Sequence, residues 1–112
     1  MRLRRWDVVF VRADEKDTVG HPGVVLSHPD LLDDPRHWRI NVLIGTKKPP
    51  AATAEPRHVI LDASDGLEFA TLLDCAFVMV ARKASILRPA GSVGLERRKE
   101  IARKVRSYLG LG

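Results

Sequence analysis

Four histidines and one cysteine are the side chains of this sequence that could transfer a proton or attack a substrate near neutral pH. They do not stand at metal-ligand spacing with Cys75, so no metal site is expected. The sequence also has no Gly-rich phosphate loop, and no cofactor is expected. A histidine in a loop can act as an acid or a base, or can have no role in chemistry. The four are His21, His28, His37 and His58.

Cationic and aromatic side chains provide the second set of candidates. Lys47 and Lys48 follow Thr46 and could contact RNA phosphates, although solubility explains the same pair equally well. Trp38 could stack on a base, and could equally belong to the core or to a dimer interface. The formal net charge of +5 comes largely from the segments MRLRR and ERRKEIARKVR. Such a surface attracts phosphate backbones and acidic proteins alike.

Length and composition predict one globular domain over residues 1–112. Of these residues, 45% are hydrophobic and 29% are charged, which is too apolar for a disordered chain. A single cysteine cannot form an internal disulfide, and this favours a reduced cytoplasm. No apolar stretch is long enough for a signal core or a membrane span, so no membrane association is expected.

Short apolar runs separated by Gly, Pro and Asp predict a series of strands. A helical turn is expected around Leu31 and Leu32, a loop over 47–56 and a turn over 62–66. The most apolar stretch, 72–81, has the periodicity of either a helix or a buried strand. A strand is favoured there because the four preceding strands need a partner. The other strands are predicted at 6–12, 23–27, 40–44 (ending at 45–46), 58–61 and 85–87.

The last part of the chain predicts an amphipathic helix that begins after Ser92 or Gly94 and ends at Gly110. Its apolar stripe predicts core packing, with a groove for a partner as the alternative. The expected fold class is mainly β, as a small antiparallel barrel of about five to six strands with this C-terminal helix. The stripe consists of Leu95, Ile101, Ala102, Val105, Tyr108 and Leu109.

Four segments, in this order, resemble the PemK/MazF toxins of type II toxin–antitoxin systems. WDVVFVR is similar to the first strand of that family, and GHPGVVLS to its second strand, which carries an Arg-Pro pair. NVLIGT is similar to the third strand, which ends in Thr followed by Ser or Thr. The run from GLEFATLLDCAFVMVA to IARKVRSYLGL is similar to the late strand and the closing helix. The resemblance covers nearly the whole chain.

The resemblance implies an SH3-like barrel and a metal-independent endoribonuclease. Members of the family cleave single-stranded RNA with the ribose 2′-hydroxyl as nucleophile, leaving a 2′,3′-cyclic phosphate and a 5′-hydroxyl. They are usually homodimers, and an antitoxin protein neutralises them. The expected partners are therefore single-stranded RNA, an antitoxin and a second copy of the chain.

The family's catalytic positions are an Arg before the proline of the second strand and a Thr or Ser after the third. Thr46 fills the second position, where its hydroxyl could donate to a non-bridging phosphate oxygen. His21 stands at the first, and histidine can move a proton but lacks the charged fork of arginine. His21 therefore marks either a working acid–base site or a weakened one. The resemblance predicts His21 and Thr46 as catalytic. Arg12, Trp38, Lys47 and Lys48 are the predicted RNA-binding residues.

Another departure lies around the cysteine. Some relatives flank a late-strand cysteine with Arg and Asp, whereas Cys75 is flanked by Asp74 and Ala76. The pair is therefore not reproduced, and Cys75 is interpreted as a small core residue.

Two other functions stay open at this level. The same fold could be a binding module that holds RNA or a peptide without cleavage, which the missing arginine favours. A CcdB-like branch of the fold poisons gyrase through an aromatic-Gly-Ile end. This chain ends in Leu109-Gly110-Leu111-Gly112, so that function ranks last.

Overall fold

The computed structural model describes residues 2–47 and 54–112. Within these residues, seven strands form one antiparallel sheet that curls into a half-barrel, and a long helix follows it. The mainly β prediction with a C-terminal helix is confirmed, while the count of five to six strands was too low. No helix in the described ranges is both long and apolar enough to cross a membrane.

The elements agree with most of the predicted positions. The first strand, the third and fourth strands, the turn around Leu31 and the last helix lie where they were expected. The strand predicted to start at Gly23 begins two residues earlier, at His21. The strands are β1 (Asp7–Val11), β2 (His21–Val25), β3 (Arg39–Thr46), β4 (His58–Leu61), β5 (Thr71–Asp74), β6 (Met79–Arg82) and β7 (Ile86–Ser92). The helices are α1 (Pro29–Asp33) and α2 (Leu95–Leu109).

Strand β3 is the centre of the sheet and pairs along both of its edges. Val42 is opposite Val25 of β2 on one edge and opposite Met79 of β6 on the other. The C-terminal end of β3 pairs with β5, where Thr46 is opposite Leu72. Apart from β6, the strands lie side by side in the order β4–β5–β3–β2–β1–β7, so β3 lies inside the sheet and not at its edge.

The single strand predicted over 72–81 was wrong, because this run forms two strands. Both lie along the same edge of β3, but their registers differ. In the pairing of β5 with β3, Leu73 is opposite Gly45. If this register continued, Ala76 would lie opposite Val42. Met79 stands there instead, three residues further along the chain.

The break coincides with a turn directly after β5, at Asp74 and Ala76. The amide of Ala76 donates to the Asp74 carboxylate at 3.0 Å, and the amide of Cys75 donates to the carbonyl of Arg57 at 3.0 Å. The first bond turns the Ala76 amide away from β3, whereas the second continues the pairing of β5 with the β4 side of the sheet. Cys75 is fully buried, as its interpretation as a core residue predicted.

Two apolar clusters lie on the two faces of the sheet. Val8, Val24 and Leu43 are aligned across β1, β2 and β3 in the first cluster, which Ile101 of α2 completes. The second cluster, on the other face, includes Leu32 of α1. Central strands are therefore buried on both faces, which explains their nearly continuous apolar sequences.

Two glycines allow the turn after β4 to touch β7. A Cβ on Gly66, whose φ is +92°, would stand 2.3 Å from the carbonyl oxygen of Ala90. A Cβ on Gly91 would stand 2.4 Å from the carbonyl oxygen of Asp65. Neither atom could be accommodated, because both neighbours are backbone rather than flexible side chain.

Helix α2 starts at Gly94 as N-cap and ends at Gly110 in the left-handed conformation, as predicted. Arg97 anchors it to the turn after β4 through ion pairs with the carboxylates of Asp62 and Asp65. Of the predicted apolar stripe, Ile101 is fully buried and Val105 packs against the first cluster. Core packing was the wrong prediction for the exposed members, Leu95, Tyr108 and Leu109.

Truncation of Ile101 tests whether the first cluster depends on α2. Ile101→Ala should lower the free energy of unfolding by about 2–5 kcal/mol, because it leaves a cavity in a closed core. Urea unfolding followed by circular dichroism measures the loss. Leu95→Ala on the same helix is the matched control, since Leu95 is 66% exposed. Similar losses in the two variants would contradict this account of the packing.

Candidate active site

The register of the sheet places the two predicted catalytic residues at the same end. Gly23 of β2 is opposite Ile44 of β3, and this register continued by two residues sets His21 opposite Thr46. Opposite residues of antiparallel strands point to the same face. Both side chains are exposed, so a substrate can reach them.

Beside His21 lies a cavity of about 510 Å³. Its walls come from the end of β1, the loop into β2, residues 66–69, Thr71 and β7. Three cationic or titratable residues, His21, Lys47 and Arg88, line it together with Glu68. Among the residues that the structure describes, Thr46 does not line the cavity, although Lys47, the next residue, does.

The loop between β1 and β2 is tied down by Asp17. The carboxylate of Asp17 accepts from the amides of Ala13, Val19 and Gly20 at 2.9, 3.1 and 2.8 Å. These donors, led by Ala13 and Gly20, hold the pKa of Asp17 below its ordinary value of 3.8. The Asp17 Oδ2 atom is also 4.0 Å from Nε2 of His21, so the same carboxylate faces the predicted catalytic imidazole.

Two cation–aromatic pairs stand on the walls of the cavity. The guanidinium of Arg88 lies 4.1 Å from the centre of the Phe10 ring and donates to the carbonyl of Val19 at 2.9 Å. The ammonium of Lys47 lies 3.3 Å from the centre of the Phe69 ring. Each cation is thereby held beside the cavity by an aromatic face.

The other predicted RNA-binding residues do not lie together in the described part of the structure. Arg12 follows β1 and is exposed near the His21 end, with its amide donating to the carbonyl of Ser85 at 2.8 Å. Trp38 precedes β3 and lies about 26 Å from Thr46, at ~3.3 Å per strand residue. Lys48 lies outside the described residues.

Trp38 is not a core residue, because 55% of it is exposed. Its ring contacts two arginines, with Arg39 at 4.9 Å and Arg82 at 5.5 Å from the ring centre. In one copy of the chain, this cluster cannot contact a nucleotide bound at Thr46. The proposed base stacking and the dimer interface both stay open as predictions for Trp38.

The residues around the cysteine do not form a reactive pair. Burial raises the pKa of Cys75 to about 12, so its thiol stays protonated at neutral pH. Asp74 is paired with Arg57, whose Nε donates to its carboxylate at 3.3 Å. Among residues 2–47 and 54–112, no group of three or more His, Cys, Asp or Glu side chains is arranged to hold a metal ion.

The backbone resembles several solved toxins along nearly its whole length. The toxin MazF-mt6 of Mycobacterium tuberculosis aligns with a TM-score of 0.76 at 14% identity, over 93% of this chain and 96% of that one. A mycobacterial endoribonuclease solved in complex with its cognate antitoxin gives 0.77 at 17% identity, over 98% and 97%. MazF from Deinococcus radiodurans gives 0.77 at 16% identity, over 98% of both chains.

The chain has the MazF fold. No protein-family model matches its sequence, and no curated protein sequence does either. At identities of 14% to 17%, the likeness concerns the arrangement of the backbone. The roles of individual residues therefore depend on the geometry of this chain.

Several residues that line the cavity of this MazF fold were not predicted from the sequence, among them Phe10, Glu68, Phe69 and Arg88. Phe10, Phe69 and Arg88 are far apart in the sequence, and no local pattern connects them. Asp17 was also missed, although an Asp three residues before a glycine is a recognisable signal for a side-chain-capped turn. That spacing to Gly20 could have identified the anchor of the loop.

Removal of the Asp17 charge tests the anchoring of the loop. Because the folded state favours the ionised carboxylate, Asp17 stabilises the fold above pH 3.8, and this contribution is lost as the pH falls below that value. Asp17→Asn should therefore lower the Tm at pH 7, and the difference from wild type should shrink at pH 3. Thermal unfolding at both pH values measures this. Glu15→Gln, in the same loop, should change the Tm little, and an equal effect would contradict the assignment to Asp17.

Proposed function

We propose that this chain is a toxin-like endoribonuclease that cleaves single-stranded RNA without a metal ion. The observation that carries the proposal is the register of β2 and β3, in which Gly23 is opposite Ile44, within a sheet that has the MazF fold. Continued by two residues, this register brings His21 and Thr46 together at one end of the sheet. The adjoining cationic cavity supports RNA as the substrate class. Such a substrate would place the protein in the cytoplasm.

The proposed reaction is an in-line displacement at phosphorus. The ribose 2′-oxygen loses its proton and bonds to phosphorus, the bond from phosphorus to the 5′-oxygen breaks, and the 5′-oxygen takes up a proton. The products are a 2′,3′-cyclic phosphate and a 5′-hydroxyl. His21 transfers a proton at one of these two oxygens, because an imidazole can accept or donate a proton near neutral pH.

Charge that gathers on the phosphorane oxygens needs donors in place before the reaction. Thr46 would supply a hydroxyl at the end of β3, and Lys47, the next residue, would supply a positive charge from the wall of the cavity. Arg12, at the same end of the sheet, and Lys48, next in sequence to Lys47, would bind flanking phosphates. These contacts position the RNA chain and make its binding depend on salt.

We further propose an acidic antitoxin as the protein partner. The net charge of +5 favours an acidic ligand, and one solved protein with this fold is held by its cognate antitoxin. An antitoxin that covered the cavity beside His21 would exclude RNA from it. Inhibition would then be competitive with RNA.

A homodimer is proposed through the edge strand β6. Met79 and Val80 point to opposite faces of this strand, and they are 49% and 63% exposed. Phe77, just before β6, is exposed as well. In the described residues β6 pairs with β3 alone, and an edge strand can pair with its own copy across a two-fold axis.

Cleavage is tested by incubating the purified protein with a long single-stranded RNA in EDTA, followed by analysis of the fragment ends. Wild type should give cyclic phosphate and 5′-hydroxyl ends. His21→Ala and Thr46→Val should each slow cleavage by about 100-fold, in line with the contribution of a positioned proton-transfer group or donor. His37→Ala, which removes an exposed histidine elsewhere, should cleave like wild type.

A second function is favoured by one observation, the histidine at the position where a MazF-like site would carry arginine. Without that charge the protein could bind RNA and leave it intact. Salt-dependent binding of RNA by well-folded protein, with no fragments in EDTA, would select this binding module over the ribonuclease.

The dimer is tested by light scattering after size exclusion. Wild type should have twice the chain mass of 12.5 kDa, and Val80→Lys should have the mass of one chain. Leu111→Lys places the same charge on another exposed apolar residue and should leave the mass unchanged. A dimer that survives Val80→Lys would refute the β6 interface.

A further inference from the structure

We propose that the cavity beside His21 holds one unstacked base of a single-stranded RNA, stacked on Arg88 and read by Glu68. The inference rests on the proposed function, because it names how the same site would select its substrate. It adds three residues, Phe10, Glu68 and Arg88, that the catalytic proposal does not use.

Arg88 provides a flat surface that is fixed before any ligand arrives. Its guanidinium is held by the Phe10 ring at 4.1 Å and by the carbonyl of Val19 at 2.9 Å. A guanidinium plane is one of the surfaces on which proteins stack unpaired RNA bases. Because two contacts already restrain it, little side-chain entropy remains to be lost when a base binds.

Two further residues of the lining, Lys47 and His21, are cationic or titratable. Lys47 lies over the Phe69 ring at 3.3 Å, and His21 stands at the entrance to β2. These cations suit the phosphates on either side of an inserted base. The volume of about 510 Å³ falls in the range of about 300–1,000 Å³ that is usual for small-ligand sites.

Glu68 decides between a base and a phosphate as the occupant. Glu68 lines the same cavity, and its negative charge disfavours a phosphate placed inside. A carboxylate can accept hydrogen bonds from the amino group of cytosine. Uracil has a carbonyl at that position, so the cavity should favour cytosine over uracil.

The experiment uses octamers of 2′-O-methyl cytidine and uridine, which cannot be cleaved because the nucleophile is blocked. Their binding to the full chain is measured by fluorescence anisotropy at fixed salt. Wild type should bind the cytidine octamer about tenfold more tightly than the uridine octamer, as one base-specific pair can provide. Glu68→Gln should reduce this preference, since an amide can also donate to uracil.

Arg88→Lys separates stacking from charge, because it keeps the charge and removes the plane. It should weaken binding of the cytidine octamer by about tenfold, within the range measured for stacking of one base. Arg103→Lys on the exposed side of α2 is the matched control and should bind like wild type. Circular dichroism confirms that each variant is folded.

Cleavage of unmodified RNA, measured on the same preparations, separates the two proposals. Binding that depends on Arg88 and Glu68 without cleavage supports the base site and overturns the ribonuclease. Cleavage with no effect of Arg88→Lys and no preference for cytidine overturns the base site and leaves the ribonuclease standing. RNA that is neither bound nor cleaved overturns both.

Discussion

Hydrogen bonding along both edges of β3 is the constraint from which the other elements take their positions. One edge sets the register of β2 and thereby the height of His21 relative to Thr46. The other edge pairs with β5 and β6. The difference between their two registers on β3 decides which of their residues face the core. A slip of one residue between β2 and β3 would turn these side chains to opposite faces and separate the proposed catalytic pair.

Much of the fold could be predicted because its signals are local. Runs such as 6–12 and 58–61 are short, β-branched and bounded by turn residues, and Gly110 marks the end of α2. The division of 72–81 into β5 and β6 could not be predicted in this way. It depends on the register in which each half of the run pairs with β3, while the local sequence has the pattern of one apolar run.

In the candidate site too, some residues could be predicted from local sequence and others could not. His21 and Thr46 were found through a resemblance in the order of short segments, and the register is consistent with their acting together. Arg88 was missed because its partners, Phe10 and Val19, lie on another strand and a loop, and no pattern in the sequence joins them. Long-range contacts of this kind follow from the curl of the sheet, which composition and periodicity do not encode.

The facing glycines Gly66 and Gly91 limit how the cavity can evolve. Gly66 forms part of its wall, and the backbone of β7 lies against it too closely for any side chain. Substitution at either glycine would push the turn away from β7 before it could reshape the wall. Side-chain exchanges elsewhere in the wall, for example at Glu68 or Lys47, do not meet this backbone contact.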